Sequence, residues 1–93
     1  MRGNRNFFRK VLQSSEQIGT PLIGVSLIEI YGYKRVLVEN HGGVIQYGRN
    51  EIMIRLRDGR ACVSGSCLEL AKMTKEQLVV IGRIESVQLC SGR

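Results

Sequence analysis

The side chains in this 93-residue chain best equipped for chemistry are one histidine, His41, and three cysteines, Cys62, Cys67 and Cys90. His41 stands in the polar turn Glu39-Asn40-His41-Gly42-Gly43, between the apolar runs Val36-Leu37-Val38 and Val44-Ile45. An imidazole beside a carboxylate and two glycines is the first place to look for a catalytic or metal site. A general base, however, needs a partner nucleophile and a pocket, and the sequence supplies neither. The reading that fits is a corner. The imidazole bonds a backbone carbonyl or Glu39, while Asn40 and Gly42 provide tight or left-handed backbone.

The cysteines point the same way. Three is an odd number, unlike the even frameworks of small disulfide-stapled secreted domains, so reduced, partly buried thiols are expected. Cys62 and Cys67 are separated by Val63-Ser64-Gly65-Ser66, which does not match the short Cys-x2-Cys pairs of structural zinc sites. No neighbouring group is placed to depress a thiol pKa or orient a nucleophile. No glycine falls in a phosphate-cradling pattern. The sequence therefore predicts no catalytic residue, no metal and no cofactor. Glu29, Glu39, Glu51, Glu69 and Glu85 alternate with apolar residues and are expected to face solvent, paired across strands with Arg or Lys.

These residues need elements to hold them. The length allows one domain with a modest core, and a hydrophobic fraction of 43% suits a globular chain. No apolar run approaches the ~20 residues of a membrane-spanning helix, and the start lacks the apolar core of a secretory signal. The expected location is the cytoplasm, with peripheral membrane contact. The net charge of +6 is uneven. Arg2, Arg5, Arg9 and Lys10 precede any acidic residue, and they share residues 1–20 with Phe7, Phe8, Val11 and Leu12. A helix would put Phe8, Val11 and Leu12 on one face and the arginines on another. Such a basic amphipathic arm can contact an anionic membrane or a partner's groove, pack on its own domain, or serve as a tail.

After Gly19-Thr20-Pro21 the texture becomes strands and turns, giving an expected all-β domain over residues 21–90. Candidate strands are 27–31, 35–40, 44–47, 52–57, 60–64, 67–72, 78–81 and 83–89. These are about eight short strands of a compact meandering antiparallel sheet, roll, small barrel or sandwich. Ile52, Ile54 and Leu56 alternate with Met53, Arg55 and Arg57, and Asp58-Gly59 follows as a hairpin signal. Gly65 and Gly82 read as breaks. The end at Arg83–Leu89 is expected to offer an edge for self-association or partner pairing.

Order and spacing of these corners resemble the YabP/YqfC family of sporulation proteins, closer to its YqfC branch. Glu39, Asn40, His41 and Gly43 match one corner. Gly59, Val63, Gly65 and Leu68 match a later strand pair, and Gly82, Ile84 and Val87 match the close. The resemblance spans about residues 22–89. It implies a small protein of endospore-forming bacteria acting in spore formation or assembly, without catalytic residues. It also implies a protein partner, with a membrane-anchored YqfD-like sporulation protein as the candidate. Gly42 departs from the pattern, because relatives tend to carry a basic residue there, and this leaves the corner less charged. A second function class stays open: nucleic-acid binding by a small β-barrel with a basic arm, using Tyr31, Tyr33 with Lys34 and Arg35, and Tyr47 with Arg49.

Overall fold

Alternating apolar and polar residues with β-branched side chains favour strands in which one face is buried. The computed structural model, which describes residues 24–92, follows that pattern. Six strands form: β1 (Leu27–Tyr31), β2 (Arg35–Glu39), β3 (Val44–Tyr47), β4 (Glu51–Leu56), β5 (Gly59–Met73) and β6 (Gln77–Ser91). All pairings are antiparallel, in one sheet of order β1-β2-β6-β5-β4-β3. The described residues contain no helix. The basic arm, with Arg2, Arg5, Phe7, Phe8, Arg9, Lys10, Val11 and Leu12, lies outside them.

Six strands replace the expected eight because Gly65 and Gly82 bend strands rather than end them. Their bends face each other on one ladder: Gly65 pairs with Ile84 and Ser66 with Arg83. The register shift between Ser64 and Gly65 leaves Glu85 of β6 as the extra residue, and the shift between Ser66 and Glu69 sets Cys67 and Leu68 of β5 against Gly82 of β6. Bulges of this kind bend and twist a strand. Cys67 takes φ +54° and Gly82 φ +137°. A Cβ on Gly82 would stand 2.6 Å from the Cys67 carbonyl oxygen, and one on Gly65 would run into the Arg83 carbonyl. Glycine lets the two backbones touch at this crease.

The crease divides the sheet. On one side β2 and the first part of β6 run between β1 and the end of β5; on the other, β4 and the start of β5 run between β3 and the end of β6. Folding buries one core. Val36 and Val38 (β2) and Leu78 and Val80 (β6) join Ile52 and Ile54 (β4), Val63 and Leu68 (β5) and Ile84 in a single cluster. Removing each such aliphatic side chain from water contributes about 1.5–3 kcal/mol. Two loops extend the ladders at the crease. Ile84 N–H donates to Tyr33 O and Gly82 N–H to Lys34 O; Leu68 N–H donates to Arg49 O and Gly65 N–H to Asn50 O.

The Asp58-Gly59 signal marks a hairpin whose turn residues are Arg57 and Asp58, since Leu56 already pairs with Gly59. Gly59 does not adopt positive φ. Its lack of a side chain matters because a Cβ would meet the Cys90 carbonyl on β6. Beyond Ile84, β6 has β5 on one side and no strand on the other among the described residues, so Glu85–Cys90 forms an edge of the described sheet. β1 and β3 are the outer strands.

Candidate functional site

Asn40 ends β2 with φ +62°, a left-handed conformation that Asn tolerates better than most residues. The turn this makes lets Asn40 tie three regions together. Its backbone N–H donates to Glu76 O at 2.8 Å, and its side-chain Nδ2 donates to Val25 O at 3.0 Å. Its Oδ1 accepts both Nε (3.1 Å) and Nη2 (2.9 Å) of Arg57. Ser26 completes the circuit, donating from Oγ to Asn40 O while accepting the Arg57 N–H.

His41 is held just as firmly. Its Nδ1 accepts the Gly43 N–H at 2.9 Å, and Nε2 lies 2.8 Å from Thr74 O. A carbonyl only accepts, so Nε2 carries the proton and donates it; the imidazole is neutral and both nitrogens are used. Gly42 N–H donates to Arg55 O, and Arg55 N–H to Gly43 O. Glu39 accepts from Gln77 Nε2 rather than binding His41. The corner is thus a clasp. It joins the lead into β1, the β4–β5 hairpin and the β5–β6 turn, at the end of the folded sheet away from the crease.

Gly43, at φ +107°, takes the positive φ here, and Gly42 does not. Gly42 instead makes room: a Cβ there would stand 3.0 Å from Cγ of Arg55. The stem of Arg55 occupies that space, and Arg57 is bonded to Asn40, so two cations on β4 and its turn restore charge beside the corner. Sequence reading missed Ser26, Arg57, Thr74 and Gln77 as members of the clasp. Spacing gives no signal for them, since each contact joins segments distant in the chain.

Carboxylates meet neutral donors rather than the expected cations. Glu29 accepts from the Tyr31 hydroxyl at 2.7 Å, and Glu51 from the Cys62 thiol at 2.9 Å. The Glu29 bond holds the Tyr31 phenol above its ordinary 10.0. Partial burial, then the bond to Glu51, raise the Cys62 thiol above its ordinary 9.0. A raised thiol is a poorer nucleophile at neutral pH. The three cysteines are free, and no group of three His, Cys, Asp or Glu side chains among the described residues is placed to hold a metal ion. No helix among those residues is long and apolar enough to cross a membrane. Tyr31, Tyr33 and Tyr47 are exposed, and Arg35 stacks 5.8 Å from the Tyr31 ring centre.

The profile of the YabP family matches residues 24–93, the whole of the described sheet. The chain belongs to the YabP family. Among its relatives is YqfC of Bacillus subtilis (strain 168), 26% identical over 61 residues. The aligned stretch is 66% of this chain and 66% of YqfC, just under two thirds of that protein's length. No solved structure matches. In this YabP-family chain, Glu39, Asn40, His41, Gly43 and Gly59 sit at the clasp end, and Gly65 and Gly82 form the crease.

Proposed function

We propose that this protein is a non-enzymatic interaction or assembly factor of endospore formation. Family membership points to a sporulation-related protein. What supports the assembly role is that the single histidine is consumed in closing the fold. Both imidazole nitrogens of His41 are bonded to backbone groups, which leaves no lone pair for a substrate. The Cys62 thiol is occupied by Glu51. Exposed apolar side chains remain, with strand edges that have no neighbouring strand among the described residues, and these suit contact with another protein. Ile30 on β1 is 55% exposed and Leu89 on the open edge of β6 is 65% exposed.

The proposed partner is a protein, with a membrane-anchored YqfD-like sporulation protein as the candidate; the basic arm would bring the domain to the membrane surface. Homo-oligomerisation through the Glu85–Leu89 stretch of that edge is the self-directed form of the same reading. The test is a pull-down from sporulating cells with the full chain and with residues 1–13 removed. Capture of a membrane protein by the full chain, weakened by the deletion, supports the role. Capture of no sporulation protein by either contradicts it.

Nucleic-acid binding by the basic arm and the exposed tyrosines is the second reading. Its supporting observation is the position of Tyr33 and Arg49 in the two loops that flank the crease, each loop bonded to one of the bent strands. Salt-dependent retention on random oligonucleotides at low ionic strength tests it, and no retention removes it.

A further inference from the structure

Across the β4–β5 hairpin, Arg55 stands directly opposite Arg60. Like charges at directly opposed sheet positions destabilise the pairing. Neither guanidinium has a carboxylate partner among the described residues. Arg57, in the turn between them, is bonded to the Asn40 amide oxygen, a neutral acceptor that fixes the guanidinium and leaves its charge uncompensated. The three arginines line one shallow groove of about 730 Å³, where Asp58 is the only carboxylate in the lining. Ile45 and Met53 lie among them. Gly42 lets the Arg55 stem lie flat beside the clasp.

A fold that opposes two cations without an acid, and immobilises a third through an amide, is arranged for an anion supplied from outside. We infer that this groove binds an acidic extended segment of a protein partner, its carboxylates on Arg55 and Arg60 and its apolar side chains on Ile45 and Met53. The interleaving of apolar and basic lining favours a peptide over a lone phosphate, which calls for donors converging on one point. The inference rests on the assembly reading and gives it a contact surface separate from the arm.

The test uses the full chain and two synthetic peptides, one alternating Glu with Leu and Ser, the other carrying Gln for every Glu. Calorimetry at low salt should show binding of the Glu peptide alone, reduced about tenfold or more in the Arg55→Gln/Arg60→Gln variant. The variant's melting temperature should be equal to or above that of the wild type, because a repulsion is removed. Equal binding by both proteins, no binding by the wild type, or a lowered melting temperature would overturn the assignment. So would tighter binding of inorganic phosphate, anionic vesicles or an oligonucleotide than of the Glu peptide. Loss of the peptide site with the cellular partner still captured would refute the groove alone and leave the assembly role standing.

Discussion

The clasp and the crease lie at opposite ends of the folded sheet and hold it by different means. At the crease, two backbones approach so closely that side chains must be absent: Gly65 lies against Arg83 and Gly82 against Cys67. At the clasp, Asn40, His41, Ser26 and Arg57 join distant segments by hydrogen bonds at a partly exposed surface. The first is a matter of excluded volume and dihedral angle, the second of polar pairing in contact with water. Net hydrogen-bond contributions near water are small, whereas a backbone overlap has no inexpensive relief. The two halves of the family pattern should therefore fail very differently when mutated.

The largest effect is expected at the crease. Gly82→Ala should destabilise by about 3 kcal/mol or more, since it combines positive φ with a collision against backbone. Gly65→Ala should be comparable. Urea denaturation measures both, and a loss below that of a clasp variant would break the contrast. Gly43→Ala is the internal control. Its φ is also positive, but nothing lies within 4 Å of the added carbon, so about 1 kcal/mol is expected.

Next comes Asn40. Asn40→Ala removes the bonds to Val25 and Arg57 and strains the left-handed backbone, for about 2 kcal/mol. Asn40→Gly restores the backbone freedom and should recover about half of that. Equal losses in the two variants would show that the side-chain bonds carry the whole effect and φ none of it.

The crease shows why part of the fold was legible in sequence and part was not. The alternation of Ile52, Met53, Ile54 and Arg55 is local, and it announced β4 with its inward face. Gly65 and Gly82 carry the same local signal whether a strand ends or bends. What decides is that Gly65 meets Ile84 across the ladder, a pairing set by the whole topology. The clasp divides similarly. Asn40 and the glycines declared a corner, but Ser26 reaches Asn40 across 14 residues and His41 reaches Thr74 across 33. Tertiary packing chose those partners. It also gave Glu29, Glu39 and Glu51 neutral donors where charge pattern alone suggested ion pairs.

A smaller effect is expected with pH. The Cys62 thiol is raised above 9.0 in the folded chain, so its proton is held more tightly there than in the unfolded chain. Its contribution to stability is fully present below that ordinary value and is lost as pH rises through the folded value. Thermal melts of wild type and Cys62→Ala should show a steeper alkaline decline for the wild type. Matching declines would mean that neither the burial of the thiol nor its Glu51 contact is maintained in solution. Exposed Cys67 should be alkylated before Cys62 at mildly alkaline pH, which peptide mapping can read.

The measurement that bears most directly on the clasp is partner capture by His41→Ala, alongside its melting temperature. The imidazole closes the fold here through Gly43 and Thr74, so the variant should lose about 1 kcal/mol of stability. Well below its melting temperature it should still capture the same partners from sporulating cells as the wild type. An unchanged melting temperature with partners lost would contradict the account, because it would make His41 a functional group rather than a fastening of the fold.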